Sequence, residues 1–231
     1  MRLIGDEELE RSAGVANCRM NRERNLLGSN GYDRELGFDP IEFLKDRPVS
    51  ARPTYWLDLS CGTGRALIQA AKIIDTERLG VEVVGVDLVG MFDRPDLSCP
   101  SLRLVEASLR IWRPERPFDL ITCVHGLHYI GDKLGLIARA ALWLVEDGLF
   151  VANLDLHNLN VGGGRESARQ IASDLRRAGL GYDGRRRLVV CRGRREVAFL
   201  HRYLGADDRA GPNYTGQPAV DSYYEVVEEA G

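Results

Sequence analysis

An open, doubly wound α/β fold with a mostly parallel sheet is the architecture the sequence predicts, on three observations. Short apolar runs alternate with helical segments from Tyr55 to Leu154. A turn holding Gly62 and Gly64 joins the first run to the first helical segment. The next two runs each end on an acid, Asp87 and Glu106. Alternation of this kind builds parallel βαβ units. Their right-handed crossovers leave helices on both faces of the sheet.

The elements follow in order. Tyr55-Trp56-Leu57-Asp58-Leu59 reads as the first strand. Ala66, Leu67, Ala70, Ala71 and Ile74 share one face of a helix. Val81–Asp87, Leu102–Glu106 and Phe118–Val124 are the next strands, the first of them rich in β-branched residues. A helix from Lys133 to about Val145 turns at Asp147-Gly148 into a fifth strand, Leu149–Leu154. Ser167 to Gly179 reads as a further helix. Leu188–Cys191 and Val197–Leu200 flank Arg192-Gly193-Arg194-Arg195, which predicts an antiparallel hairpin at one edge.

The ends of the chain differ from this core. Residues 1–50 are charged, hold Gly28-Ser29-Asn30-Gly31, and predict one or two short helices ending in Ile41–Lys45; Pro48 and Pro53 then interrupt the chain. The tail has turn residues (Gly211, Pro212, Gly216, Pro218) and little periodicity, which predicts loop. The expected organisation is a helical lid or substrate cap at 1–50, a core at 51–205 and a loop tail at 206–231. Irregular sequence and aromatic residues (Tyr32, Phe38, Tyr214, Tyr223, Tyr224) suggest that both ends close over a substrate.

Composition narrows the class. The 231 residues suffice for one α/β domain. No apolar run reaches the roughly 18–20 residues of a membrane span. The acidic N-terminus lacks the apolar segment of a secretory signal. Cys18, Cys61, Cys99, Cys123 and Cys191 are odd in number and never spaced CxxC, which predicts neither a disulfide framework nor a zinc site and fits the cytoplasm. A net charge of −3 argues against a dedicated nucleic-acid binder. Arg176, Arg177, Arg185, Arg186, Arg187, Arg192, Arg194 and Arg195 nonetheless cluster late, either as solvated charge or as a steering or RNA-facing patch.

The chemistry concentrates in Asp58-Leu59-Ser60-Cys61-Gly62-Thr63-Gly64. Glycines there allow a tight turn and close approach of backbone to a ligand. The acid at Asp87 ends the neighbouring strand, where a carboxylate can accept both hydroxyls of a ribose. A dinucleotide fingerprint needs a third glycine, but Leu67 stands at that place and no P-loop lysine follows. The Asp58 carboxylate would repel a pyrophosphate and suits a cationic, phosphate-free adenosine ligand.

On these residues the chain resembles the class I S-adenosylmethionine (SAM)-dependent methyltransferases, whose first motif is E/D-x-G-x-G-x-G. Here it is Asp58-x-Ser60-x-Gly62-x-Gly64, with Ser for the first Gly. Phe118-Asp119-Leu120-Ile121 and Leu127-His128-Tyr129 resemble later family segments, so the likeness spans about residues 52–202. It implies a Rossmann-like, seven-stranded sheet with an antiparallel last strand. It also implies that Ser60, Gly62, Thr63 and Gly64 shape the loop around the methionyl and ribose moieties. Asp58 would bond the amino end, directly or through water, Asp87 would hold the ribose hydroxyls, and Leu88 would also touch the cofactor. Glu106, Ala107, Ser108 and Leu109 would flank the adenine; Val124, His125 and Gly126 would lie near the methyl. Gly31-Tyr32-Asp33 resembles a Tyr-Asp pair that some members place over the methionyl end, and reads equally as an ordinary helix start.

His125 and His128 are the candidate catalytic residues, since His accepts a proton near neutral pH. They also read as packed residues, or, with Asp155 and His157, as a metal site; the expectation is no metal. The Asn/Asp-Pro-Pro-Tyr/Phe signature and a Pro-Cys nucleophile are both missing, which weakens nucleobase methylation. The expected function is methyl transfer from SAM to a small-molecule acceptor, leaving S-adenosylhomocysteine (SAH). The alternatives are an RNA methyltransferase gripping phosphates with the 185–195 hairpin, and a SAM-binding regulatory protein without catalysis. A monomer and a homodimer fit the sequence equally.

Overall fold

The computed structural model describes residues 2–12, 15, 23–48, 52–94, 99–162 and 167–227. Cys18 and the last four residues of the predicted tail lie outside them. Five parallel strands form the centre: β1 (Thr54–Leu59), β2 (Val81–Asp87), β3 (Leu102–Glu106), β4 (Phe118–Cys123) and β5 (Leu144–Asn153). Two short strands, β7 (Gly181–Asp183) and β8 (Leu188–Arg192), complete a sheet ordered β3-β2-β1-β4-β5-β8-β7. β8, its last strand in the chain, runs antiparallel to β5. This is the seven-stranded, Rossmann-like sheet that the resemblance implied.

Alternation along β1 builds two cores. Leu57 and Leu59 face one layer with Ile121, Phe150 and Leu136. Trp56 faces the other with Leu120, Val151 and Leu67. The period of two along a strand sends successive side chains to opposite faces, so both faces of an interior strand must be apolar. The second layer holds three helices: α2 (Tyr32–Leu36), α3 (Pro40–Lys45) and α4 (Arg65–Glu77). The first layer holds α5 (Lys133–Leu142) and α6 (Ser167–Arg177). Side-chain caps start two of them: Asp39 Oδ1 accepts from Ile41 N at 2.8 Å, and Asp132 Oδ1 from Gly135 N at 3.0 Å.

Four expectations need correction. The N-terminal segment carries three short helices among its described residues, α1 (Asp6–Glu10), α2 and α3, rather than one or two. β5 begins at Leu144, not Leu149, and absorbs Asp147-Gly148 with a register shift against β4. The hairpin is β7–β8, turning through Gly184–Arg187; Val197–Leu200 is not a strand. Asp183 makes this turn by accepting from the backbone N–H of Arg185 (2.9 Å) and Arg186 (3.1 Å), a local side-chain turn that the apolar pattern does not reveal. The tail is not all loop. β9 (His201–Asp207) and β10 (Asp221–Val226) join β6 (Leu159–Val161) in a second sheet, ordered β6-β10-β9. Tyr224 is accordingly a buried core residue of a strand rather than part of a lid.

A buried lysine pins the second sheet to the first domain layer. Lys133 Nζ donates to Ile130 O (2.8 Å), Val220 O (2.8 Å) and Ser222 Oγ (2.7 Å). Beside it, Leu134 N donates to Tyr224 Oη at 3.1 Å. Burial pushes the Lys133 ammonium down to about 7 from 10.5, against the raising pull of Asp221, Asp6 and Asp132. Between about pH 7 and 10.5 the unfolded chain keeps a proton that the folded chain has released. Stability from this group therefore rises with pH across that window. Lys133→Met is expected to flatten that rise in urea melts at pH 7, 8.5 and 10. It should also lose about 1–3 kcal/mol at pH 7, because two buried carbonyls lose their donor. Identical slopes in the two proteins would contradict this.

Candidate functional site

The C-terminal ends of β1, β2 and β4 meet at one edge, where open α/β sheets bind ligands. The turn after β1 needs left-handed backbone at Ser60 (φ 59°), Gly62 (φ 62°) and Gly64 (φ 73°). Asp87, at the end of β2, fastens this turn: Gly62 N donates to its Oδ2 (2.9 Å) and Val89 N to its Oδ1 (3.0 Å). Each carboxylate oxygen has a second lone pair. The floor is close-packed, for a Cβ on Gly126 would come within 2.5 Å of Ser60 Cβ and 2.7 Å of Cys123 Sγ.

Asp58 lies under the turn, fully buried. Tyr32 Oη donates to its Oδ2 at 2.7 Å, and Thr122 Oγ1 donates to its Oδ1. Trp56 Nε1 donates in turn to Thr122 Oγ1 at 2.9 Å. Burial pushes Asp58 up to about 7, the two hydroxyls pull it back, and the charge of Asp87 adds to the rise.

These elements wall a cleft of about 660 Å³. Of the residues singled out from the sequence, Ser60, Gly62, Asp87, Leu88 and Leu109 line it, as do Val124, His125 and Gly126. Tyr32, Asp58, Thr63, Gly64, Glu106, Ala107, Ser108 and His128 do not line it and stand behind or beside it. Thr63 Oγ1 donates to Asp93 at 3.3 Å, and Ala107 N donates to Asp87 O at 2.9 Å. Glu106 sits against Gly90, where a Cβ would meet its carboxylate at 2.1 Å. Ser108 Oγ donates to Glu10 of α1. Tyr129, part of the family-like Leu127-His128-Tyr129, lines the cleft too, as do Glu10, Val15 and Ile130, which carried no sequence signal that singled them out.

His125 departs from ordinary backbone, with φ 58°. Its N–H donates to Asn153 Oδ1 at 3.1 Å. Its Nε2 lies 2.9 Å from Glu35 Oε2, and Glu35 is also paired with Arg24 at 3.1 Å. The His125 contact, with Arg24, holds the Glu35 carboxyl below its usual range against the opposing effect of burial. Glu35 was not singled out, because nothing in a five-residue helix marks which side chain reaches the site. His128 packs 5.3 Å from the His125 ring and 5.6 Å from Tyr214, ring centre to ring centre. Burial and the neighbouring His125 and Lys133 push His128 well below its usual range, so it is neutral at pH 7. Burial pushes the Cys123 thiol far up, so it is no thiolate nucleophile. Among the described residues no three His, Cys, Asp or Glu side chains gather as metal ligands. None of the described helices is long and apolar enough to cross a membrane.

Residues 30–184 match the methyltransferase domain family, over more than half of the chain. The chain belongs to that family. SAM is the family's methyl donor and the cofactor of this methyltransferase domain. The residues present fit it: a glycine turn presenting backbone, the Asp87 carboxylate at the cleft edge, and apolar Leu88 and Leu109 on the cleft wall. No curated protein matches the sequence significantly. Among solved structures, the chain is similar to a SAM-bound amino pentose methyltransferase of calicheamicin biosynthesis from Micromonospora echinaspora (20% identity, 60% of this chain and 54% of that one, TM-score 0.41). It is also similar to a plantazolicin methyltransferase in complex with SAH (13% identity, 64% and 50% covered, TM-score 0.39). A third is coclaurine N-methyltransferase bound to N-methylheliamine and SAH (12% identity, 66% and 45% covered, TM-score 0.41). This methyltransferase domain spans about half the length of those chains.

The raised Asp58 gives a pH test. Its folded pKa lies above its unfolded one of 3.8. The stabilisation from its bound proton is thus full below about pH 4 and lost as pH rises through about 7. Asp58→Asn cannot titrate, so thermal melts between pH 4.5 and 7.5 should show a smaller fall in stability than wild type. An unchanged fall would show that Asp58 does not titrate there.

Proposed function

We propose that this methyltransferase domain moves the methyl group of SAM to a small-molecule acceptor, with His125 taking the acceptor's proton. The observation that carries the reading is the His125 ring on the cleft wall, its Nε2 2.9 Å from Glu35. SAM supplies a methyl already activated by its sulfonium. The chain's own work is then to align an acceptor, exclude water and accept a proton.

Each role has a residue. Asp87, whose carboxylate fastens the turn at the cleft edge, would take the ribose hydroxyls. Leu88 and Leu109 offer apolar walls for the adenine, and α1 adds Glu10. Ser60, Gly62, Val124 and Gly126 surround the methionyl end. Asp58 acts at one remove, through the Tyr32 hydroxyl that seats α2. Glu35 is a positioning residue. A carboxylate beside an imidazole fixes its orientation and favours the imidazolium that forms on proton transfer. His128, kept neutral by burial, shapes the acceptor side without carrying charge.

A small acceptor also suits the hairpin. Arg186 packs on Gly37, where a Cβ would come within 1.6 Å of its Nη1, and Arg187 stacks on Tyr214. Both arginines make contacts within the fold, and the net charge of −3 offers no basic excess for RNA.

His125→Asn is expected to lower methyl incorporation from labelled SAM into a metabolite extract about 10²–10⁴-fold. SAM affinity should stay within about threefold of wild type, since the loss falls on proton transfer rather than on binding. Glu35→Gln should lose less and displace the acid limb of the pH–rate profile. Undiminished incorporation by His125→Asn would sink the assignment.

A further inference from the structure

Two loops bring a second set of polar groups to the far side of the histidine pair. Arg187 closes the β7–β8 hairpin in left-handed backbone (φ 53°), and its carbonyl accepts from Leu154 N at 2.7 Å. Its guanidinium carbon lies 3.9 Å from the centre of the Tyr214 ring. Stacking of this kind occupies the face of the guanidinium and leaves the N–H donors along its edge. The acceptor in reach is Asp155 Oδ2 at 3.9 Å, beyond hydrogen-bond distance. Asp155 Oδ1 already takes His157 N (3.1 Å) and Nδ1 (3.0 Å). The other nearby carboxylate, Glu35, is held by Arg24 and His125. Among the described residues, the ion pair of Arg187 with Asp155 at 3.9 Å is thus without a hydrogen bond.

A buried histidine ring packed on Tyr214 and a buried amide on the Tyr214 loop are also unmatched. His128 is 2% exposed, and neither ring nitrogen has a hydrogen-bond partner among the described residues. Asn213, next to Tyr214 in sequence, is 9% exposed; its Oδ1 accepts from Thr215 N at 2.8 Å, yet its Nδ2 has no partner. Native structures rarely leave such groups unpaired, because each carries its full desolvation penalty. The unmatched set is rich in donors: a guanidinium edge, an amide NH₂ and one imidazole N–H, against a single imidazole lone pair. A ligand that satisfies it must be rich in acceptors and negatively charged. Three rings give the corner flat walls, with centres 5.3 Å (His125–His128), 5.6 Å (His128–Tyr214) and 6.2 Å (His125–Tyr214) apart. They are already in mutual contact, so a ligand entering here displaces Tyr214. Its loop carries Gly211 (φ 106°) and Gly216 (φ 76°), conformations open to glycine.

We propose that Arg187, Asn213 and His128 form the acceptor subsite, and that the acceptor is a small planar molecule bearing a carboxylate. This rests on the methyl-transfer reading above, and it specifies the acceptor's chemistry. Arg187 would grip the carboxylate through its two-pronged edge, and the imidazoles would flank the ring. The carboxylate end then lies beyond His128, and the rest of the molecule reaches His125 at the SAM cleft.

The test is calorimetry on the full chain saturated with SAH, titrated with benzoate, benzamide and phenyl phosphate. Benzoate is expected to bind at least tenfold more tightly than benzamide. Arg187→Met should lose at least tenfold in benzoate affinity while its own SAH affinity, which also reports correct folding, stays within twofold. Arg187→Lys, which keeps charge but not the fork, should fall between the two. Asp155→Asn should leave benzoate binding intact or tighter, which a merely structural Arg187–Asp155 pair does not predict. Equal binding of benzoate and benzamide, or an unaffected Arg187→Met, would overturn the subsite. Tighter binding of phenyl phosphate than of benzoate would overturn the carboxylate. Failure of the wild type to bind SAH would overturn the methyl-transfer reading itself, and the subsite with it.

Discussion

The carboxylate of Asp58 is the constraint on which this site is built. It ends the central strand β1 with no access to water, and it accepts from Thr122 on β4 and Tyr32 on α2. Burying a carboxylate without donors would be prohibitive, so those two hydroxyls are obligatory partners. One interaction therefore joins strands β1 and β4, fixes the start of the glycine turn and seats α2, which carries Glu35. The left-handed turn from Ser60 to Gly64 and its fastening by Asp87 follow from that fixed origin.

Burial sorts the other polar groups of the site. It drives His128 toward the neutral imidazole and the Cys123 thiol away from the thiolate. His125 differs in its surroundings, with the Glu35 carboxylate 2.9 Å from its Nε2. Two neighbouring histidines are thereby given different environments, one beside a carboxylate and one packed between rings. Lys133 plays the same game for structure: its ammonium is stripped of water and satisfied by two carbonyls and a hydroxyl, which locks β10 onto α5.

The sheet was legible in the sequence because β1, β2, β4 and β5 bury most of their residues and read as predominantly apolar runs. The turn and Asp87 were legible because positive φ and a terminal acid restrict residue choice at fixed positions. Elements held by polar groups were not. β10 buries Ser222 and Tyr224, whose hydroxyls mask an alternation that aliphatic residues would have displayed. β7 is Gly-Tyr-Asp, short and of turn-like composition, and pairs only through β8. Glu10 and Glu35 come from five-residue helices, where tertiary packing rather than periodicity decides which side chain meets the cleft. The arginines of the hairpin read as a charge run, yet two of them close on Gly37 and Tyr214.

The central claim is that the turn after β1, fastened by Asp87, holds SAM. Titration calorimetry of the full chain with SAM and with SAH, on wild type and on Asp87→Ala, tests it most directly. The account predicts one site per chain for both ligands in the wild type. It predicts a loss of at least tenfold in the variant, which forfeits charge-assisted hydrogen bonds worth about 1.5–3 kcal/mol each. Absence of binding in the wild type, or equal affinity in the two proteins, would contradict it.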